Sequence, residues 1–432
     1  MTAWLGTSRR GGPVHLHPNQ PAGRVAGRRP GAVLAALLTV LVLVLLVEPA
    51  AAGAQGEAPA LPGLPEMPDP QDLMAEQWER LDTREVLGFI RQLNESLAPA
   101  LPPLTWDTVT GVFRGEGFPY TFRQVMGALA RSVFQGLAEN AGLLGRLVVL
   151  AVFMGILQQA QTAFSADGVS RTAYAVVYLA LIAVAMVAFH TAAQLARGIV
   201  QGLLEFMMAL LPLLMTLLAG MGALVTAGLF QPILVMAVHA VGLVVANWVF
   251  PLVYVATVLE IASHFPSRVR LTRLAGLLRH GGVFLLSITL VIFLGLVSVH
   301  GAAGAVADGV ALRTAKFATG TFVPVLGGMF ADALELVIGS SLLLKNALGI
   351  LGAAGIILFA FLPLARLVGL ILVFRLAGAL VQPLGTGSLA GTLQAMAHGM
   401  MLMGLAAAAV VIMFFLAVTV VVGTGNLTVM LR

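Results

Sequence analysis

Cysteine is absent from this 432-residue chain. Disulfides, thiolate metal sites and cysteine nucleophiles are therefore excluded, while the compartment stays open. Charge is scarce as well: Asp, Glu, Lys and Arg make up 10% of the residues, against about 25% in soluble domains. A soluble core of this size could not be covered by so little polar surface. The sequence lacks a GxxxxGK[ST] phosphate loop, an HExxH zinc helix and a GxSxG nucleophile elbow. Its eight His are scattered. No catalytic residue, cofactor or metal is expected. No basic run alternates with aromatics, so a pI of about 10.2 does not argue for nucleic acid as a partner.

What remains is apolar. Hydrophobic residues make up 59% of the chain, and the mean hydropathy is +0.97. This composition fits an all-α, polytopic helical membrane protein with the lipid bilayer as its solvent. Charge is unevenly spread. Residues 1–54 hold five Arg and one Glu, and residues 55–140 hold twelve acids and six Arg. Arg24, Arg28 and Arg29 precede an apolar run from Ala32 to Val47, and Pro49 and small residues follow. That order predicts a secretory signal over 1–54, cut after Ala52 or Ala54. The alternative is a retained first span, but sixteen apolar residues, about 24 Å of helix, fall short of a core roughly 30 Å thick.

A Pro-rich linker, Ala58 to Pro70, leads into Gln71 to Leu97. There Met74, Trp78 and Leu81, then Val86, Ile90, Leu93 and Leu97, recur near helical spacing. Asp72, Glu76, Glu79, Asp82 and Glu85 crowd the polar face, which suits neither nucleic acid nor an anionic membrane. A second helical stretch covers Phe122 to Asn140. Residues 55–140 thus form an acidic helical extracytoplasmic region, and 141–432 a polytopic transmembrane domain.

Apolar runs lie near 143–160, 172–192, 203–225, 229–259, 282–303, 347–376 and 400–422. Two of them are long enough to be broken or doubled, so seven or eight spans are expected. Pro232, Pro251 and Pro363 fall within them, and proline in a span frees carbonyls that other helices or water must satisfy. Arg268, Arg270, Arg273 and Arg279 against Glu260 place the 260–281 loop in the cytoplasm by the positive-inside rule. Strictly alternating seven spans would put that loop on the same side as residues 55–140. One run must therefore be re-entrant, or one must be two helices.

Ionisable groups within this apolar chain are functional candidates by default. His190 and His239 sit inside apolar runs, where a lone His commonly hydrogen-bonds a neighbouring helix; Glu205, Asn247 and Glu260 call for the same restraint. GxxxG spacings at Gly198/Gly202 and Gly387/Gly391 read as ordinary close packing. The densest cluster lies at 308–349: Asp308, Arg313, Lys316, Asp332, Glu335, Lys345 and Asn346. Two readings stand. Asp308 to Lys316 is an aqueous loop followed by a helix with a solvated polar face. Or Gly320, Pro324, Gly327 and Gly328 break the short piece TFVPVLGGMF, which re-enters the bilayer beside an internal polar network of those seven side chains.

The same stretch carries a resemblance. DGVALRTAKFATGTFVPVLGGMFADA at 308–333 and SSLLLKNALGILG at 340–352 closely resemble the signature of the stage III sporulation protein AE family. FMMALLPLLMTLLAG at 206–220, VFPLVYVATVL at 249–259, LVQPLGTGSL at 380–389 and GTGNLTVMLR at 423–432 resemble further family segments in the same order. The resemblance implies a non-enzymatic subunit of a channel or secretion-like complex needed for endospore formation after engulfment. It implies a cleaved signal and a place in the mother-cell membrane facing the forespore, with the N-terminal region in the intermembrane space. The implied partners are other stage III A operon proteins and a forespore membrane protein. Two other roles remain compatible with the residues: a permease moving a small solute by itself, and a structural anchor for the complex.

Overall fold

The computed structural model describes residues 84–97, 102–103, 105, 122–164, 169–264, 271–322, 327–384 and 387–430. The signal over 1–54, the linker and the first half of the Gln71–Leu97 helix lie outside the described residues. Nearly everything described is helical. In chain order the helices are α1 (Arg84–Leu97), α2 (Phe122–Glu139), α3 (Ala141–Phe164), α4 (Val169–Gly220), α5 (Leu224–Val244), α6 (Phe250–Ser263), α7 (Thr272–Phe322), α8 (Gly327–Val381) and α9 (Gly387–Met430).

Six helices among the described residues are long and apolar enough to cross a membrane, against the seven or eight expected. The difference arises in α4. The runs at 172–192 and 203–225 lie on one unbroken helix of 52 residues. Between them stands AAQLARGIVQ, which carries Gln194, Arg197 and Gln201 but is built mostly from good helix formers. A dip in hydropathy therefore leaves the backbone pattern intact. The run at 229–259 is also one rod, since α5 passes into α6 through a five-residue π-helical turn, Val245–Val249. That wide turn stands just before Pro251, which has no N–H to offer the carbonyl four residues back and crowds it with its ring. The run at 347–376 lies within α8, which carries Pro363.

These rods are long. The apolar part of α4 has 46 residues, and the stretch that starts in α8 and runs to Leu384 has 48, about 70 Å at 1.5 Å per residue. The hydrocarbon core is roughly 30 Å thick. α8 is central and runs antiparallel to α4 and α9. Down its α4 side, Gly352 faces Leu210, Gly355 faces Phe206 and Phe359 faces Gly202; on its α9 side, Gly349 faces Val422. The small residues let the rods approach, which drives packing where lipid offers no hydrophobic gain. α7 packs on α9, α5 and α6. Of the GxxxG glycines, Gly202 and Gly391 are tightly packed, while Gly198 and Gly387 face open space.

The N-terminal helices fold onto the bundle. α1 buries Val86, Ile90 and Leu93, the apolar face read from the sequence. Phe89 stacks on Phe206 at 4.1 Å and lies 4.9 Å from Phe359. Gly136 of α2 meets the backbone of Arg366 and Gly369 on α8.

Candidate functional site: a polar layer at one end of the bundle

The turn between α4 and α5 is where the polar groups gather. α4 ends in a Schellman arrangement: the Ala223 N–H donates to the Leu218 carbonyl and the Gly222 N–H to Ala219. Gly222 supplies the left-handed residue, with φ of 86°. The chain then re-enters a helix at Leu224 with no side-chain cap of its own, so the first N–H groups of α5 need acceptors.

Asp308 provides them from α7. Its Oδ1 accepts from the Val225 N–H at 2.9 Å and its Oδ2 from the Thr226 N–H at 3.1 Å. Asp308 is 1% exposed. A buried carboxylate is costly unless hydrogen-bonded, and here the helix N-terminus stabilises its charge. Gly304, one turn before Asp308, lies against the Thr226 side chain, so no larger residue fits between α5 and α7.

Lys345 is the second buried ion, with no exposed surface. Its Nζ donates to the Val422 carbonyl at 2.8 Å and to Asn426 Oδ1 at 3.0 Å, both on α9. Gly425 lies directly against the ammonium, where any Cβ would collide. Ser341 on α8 faces Gly220, and Thr424 on α9 faces Gly301 on α7. The side-chain carbonyl of Asn346 is buried without a partner among the described residues. Five helices thus meet in one layer: the end of α4, the start of α5, α7, α8 and the end of α9.

Of the residues singled out in the sequence, Asp308, Lys345 and Asn346 fall in this layer. Among the described residues neither ion is held by an opposite charge; neutral acceptors and backbone donors do the work. Arg313 is exposed, further along α7. Lys316 and Gly320 fall in the last turns of α7, and Gly327, Gly328, Asp332 and Glu335 in the first turns of α8, with side chains outside the described residues. Pro324 lies outside them altogether. Thr226, Ser341, Thr424 and Asn426 were missed. Polar residues beside glycine in the otherwise apolar GTGN segment were the available signal.

A second polar layer marks the other end. Glu260 of α6 and Arg279 of α7 form an ion pair. The Tyr178 and Thr392 hydroxyls bond at 2.9 Å, and His264 Nδ1 lies 2.8 Å from the Glu260 carbonyl oxygen. Burial lowers the His264 pKa below its ordinary 6.5. From Asp308 to Arg279 runs about 45 Å of helix. A bilayer with its headgroups is about 40–45 Å thick.

Long apolar helices bounded by two polar layers define a polytopic helical membrane protein. Residues 105–425 match the family model described as Stage III sporulation protein AE. The chain is also 39% identical over 352 residues to the stage III sporulation protein AE of Bacillus subtilis (strain 168), covering 82% of this chain and 88% of that one. No solved structure matches. The chain belongs to the stage III sporulation protein AE family, and its role lies in sporulation.

Proposed function

We propose that this protein is a non-enzymatic subunit of a membrane-spanning channel or secretion-like assembly required after engulfment. It sits in the mother-cell membrane facing the forespore, with other stage III proteins and a forespore membrane protein as partners. Residues 1–54 are removed as a signal, and the chain after the cut starts on the non-cytoplasmic side, with α1 and α2 seated against α8.

The observation that carries the orientation is the charge of the 265–271 segment: with Arg268 and Arg270, it belongs in the cytoplasm by the positive-inside rule, together with the Glu260–Arg279 layer beside it. The Asp308–Lys345 layer then lies at the non-cytoplasmic face, on the side of the forespore.

Deleting the gene in the bacterium that carries it should arrest sporulation after engulfment. A copy expressed only in the mother cell should restore heat-resistant spores, and a copy expressed only in the forespore should not. Normal spore yield from the deletion would overturn the reading. Solute uptake by the purified chain alone in liposomes would favour a self-sufficient permease instead.

A further inference from the structure

Midway along α4, a row of polar side chains faces outward. His190, Gln194, Arg197, Gln201 and Glu205 recur every three or four residues, so they share one face, and all five are exposed. Gln194 Nε2 lies 2.9 Å from His190 Nε2, and Arg197 reaches the Ala246 carbonyl in the π-helical turn at 3.0 Å. The row is about 22 Å long, and Arg197 stands about 35 Å of helix from Gly220 and about 28 Å from Tyr178, the residues that reach the two polar layers. The row is thus at the mid-height of the bundle. Charge left facing hydrocarbon there costs several kcal/mol.

Two further observations point the same way. The exposed face of α4 is bounded on one side by α5 and the π turn, where Gly242 meets Leu204. On its other side lies α1, whose Phe89 stacks on Phe206, next to Glu205. α1 turns Arg84, Glu85, Arg91 and Glu95 outward at that height. The opposite flank differs. α7, separated from α4 by α5 and α9, exposes Phe284, Ile288, Val291 and Ile292. Its neighbouring Phe293 meets Phe414 of α9, midway between the α9 positions that touch Leu367 and Gly349 of α8. One flank of the bundle is therefore bare hydrocarbon at mid-height, and the other is charged.

We propose that the outward face of α4 from His190 to Glu205 borders water, as one wall of a hydrophilic passage for water and small polar solutes at bilayer mid-height, while α7 makes the lipid contact. Irregular or polar surface at that depth is tolerated where it lines a water-filled cavity. The inference rests on the helices crossing a bilayer and deepens the proposed role by naming the face that conducts.

Single cysteines test it, because the chain has none of its own. Full-length variants His190→Cys, Gln194→Cys, Gln201→Cys and Glu205→Cys are compared with Phe284→Cys, Ile288→Cys, Val291→Cys and Ile292→Cys. All are expressed in sporulating cells of the native host, and the membranes are treated with a charged, membrane-impermeant methanethiosulfonate. Thiolate is the reactive form, so α4 positions should label at least about tenfold faster than α7 positions. Only variants at wild-type abundance are scored, and four positions per face keep the comparison alive if one misfolds. Slow labelling on both faces means that α4 is covered by protein or lipid, and fast labelling on both means that α7 is not in lipid; either result overturns the proposal. The readout is chemical and does not require spores, so loss of the sporulation role leaves this result standing, and the reverse holds too.

Discussion

Asp308 makes the sharpest claim about how the bundle closes. Replacing it with alanine removes the acceptor for two N–H groups at the start of α5. Val225 is exposed, so its N–H turns to water and loses little. Thr226 is 1% exposed, and among the described residues its N–H is given to Asp308. A hydrogen bond to a charged group is worth about 1.5–3 kcal/mol, and loss of a cap about 0.5–2 kcal/mol. Together these put Asp308→Ala at about 2–4 kcal/mol against the first turn of α5. Asp308→Asn keeps one acceptor but aims an amide N–H at the other donor, so about half of that loss is expected.

The opening can be read with a thiol at Ala227, buried in that first turn. An Ala227→Cys protein reacts only when the turn opens. At 1.4 kcal/mol per tenfold, adding Asp308→Ala should speed its labelling roughly 30- to 700-fold. Asp308→Asn should give an intermediate rate. A rate within about threefold of the Ala227→Cys parent would show that the α4–α5 turn does not depend on this carboxylate, and the account of the polar layer as a structural joint would fall with it.

Gly425→Ala should lower abundance and thermal stability, because the new methyl meets the Lys345 ammonium; Lys345→Ala in the same chain should restore part of the loss, and a strictly additive double mutant refutes the contact. Lys345→Met should be tolerated to within about 1 kcal/mol, since a buried ion replaced by an apolar side chain of similar volume is commonly neutral; detergent thermostability checks this. Cysteine pairs at Gly378/Leu393 and Leu252/Gly282 should form disulfides under mild oxidation. A Cβ at each glycine would stand 3.7 Å and 3.6 Å from the partner Cβ, inside the range that a disulfide needs; failure of both would show that α8–α9 and α6–α7 are packed otherwise. Exchanging Glu260 and Arg279 as a pair should recover more protein than either reversal alone, with a coupling of no more than about 1 kcal/mol because both side chains are partly exposed.

The class and family of this protein are legible in the residues, and so are two of its buried ions. Asp308 and Lys345 stand out because charge is rare in the chain around them. Their partners do not. The carboxylate of Asp308 serves N–H groups 82 and 83 residues earlier, and nothing about Val225 or Thr226 in sequence announces an uncapped helix. Lys345 is held by a backbone carbonyl and one amide of α9, so a search for an opposite charge finds nothing. The difference between six long apolar helices among the described residues and the seven or eight spans expected has another source. Hydropathy measures what lipid accepts, whereas helix continuity follows backbone propensity, and the two part company at AAQLARGIVQ. The apolar face of α1 is legible from its period, but its seat against Phe206 and Phe359 depends on folding back across the bundle.

The polar groups of this bundle obey three different energetic rules, which is why treating them as one network misleads. Asp308 is stabilised by the N-terminal end of a helix, a fixed dipole that costs no reorganisation. Lys345 is held by neutral oxygens and shielded by close packing, a cage that a similarly shaped apolar side chain could replace. The row on α4 has neither device: its members are outward-facing and bonded at most to their own helix or one carbonyl. Inside a protein, a polar group left that way is expensive; against water it costs nothing. The first two groups therefore fix how the helices close at that end of the bundle. The third bears on what the assembled protein leaves open between its helices.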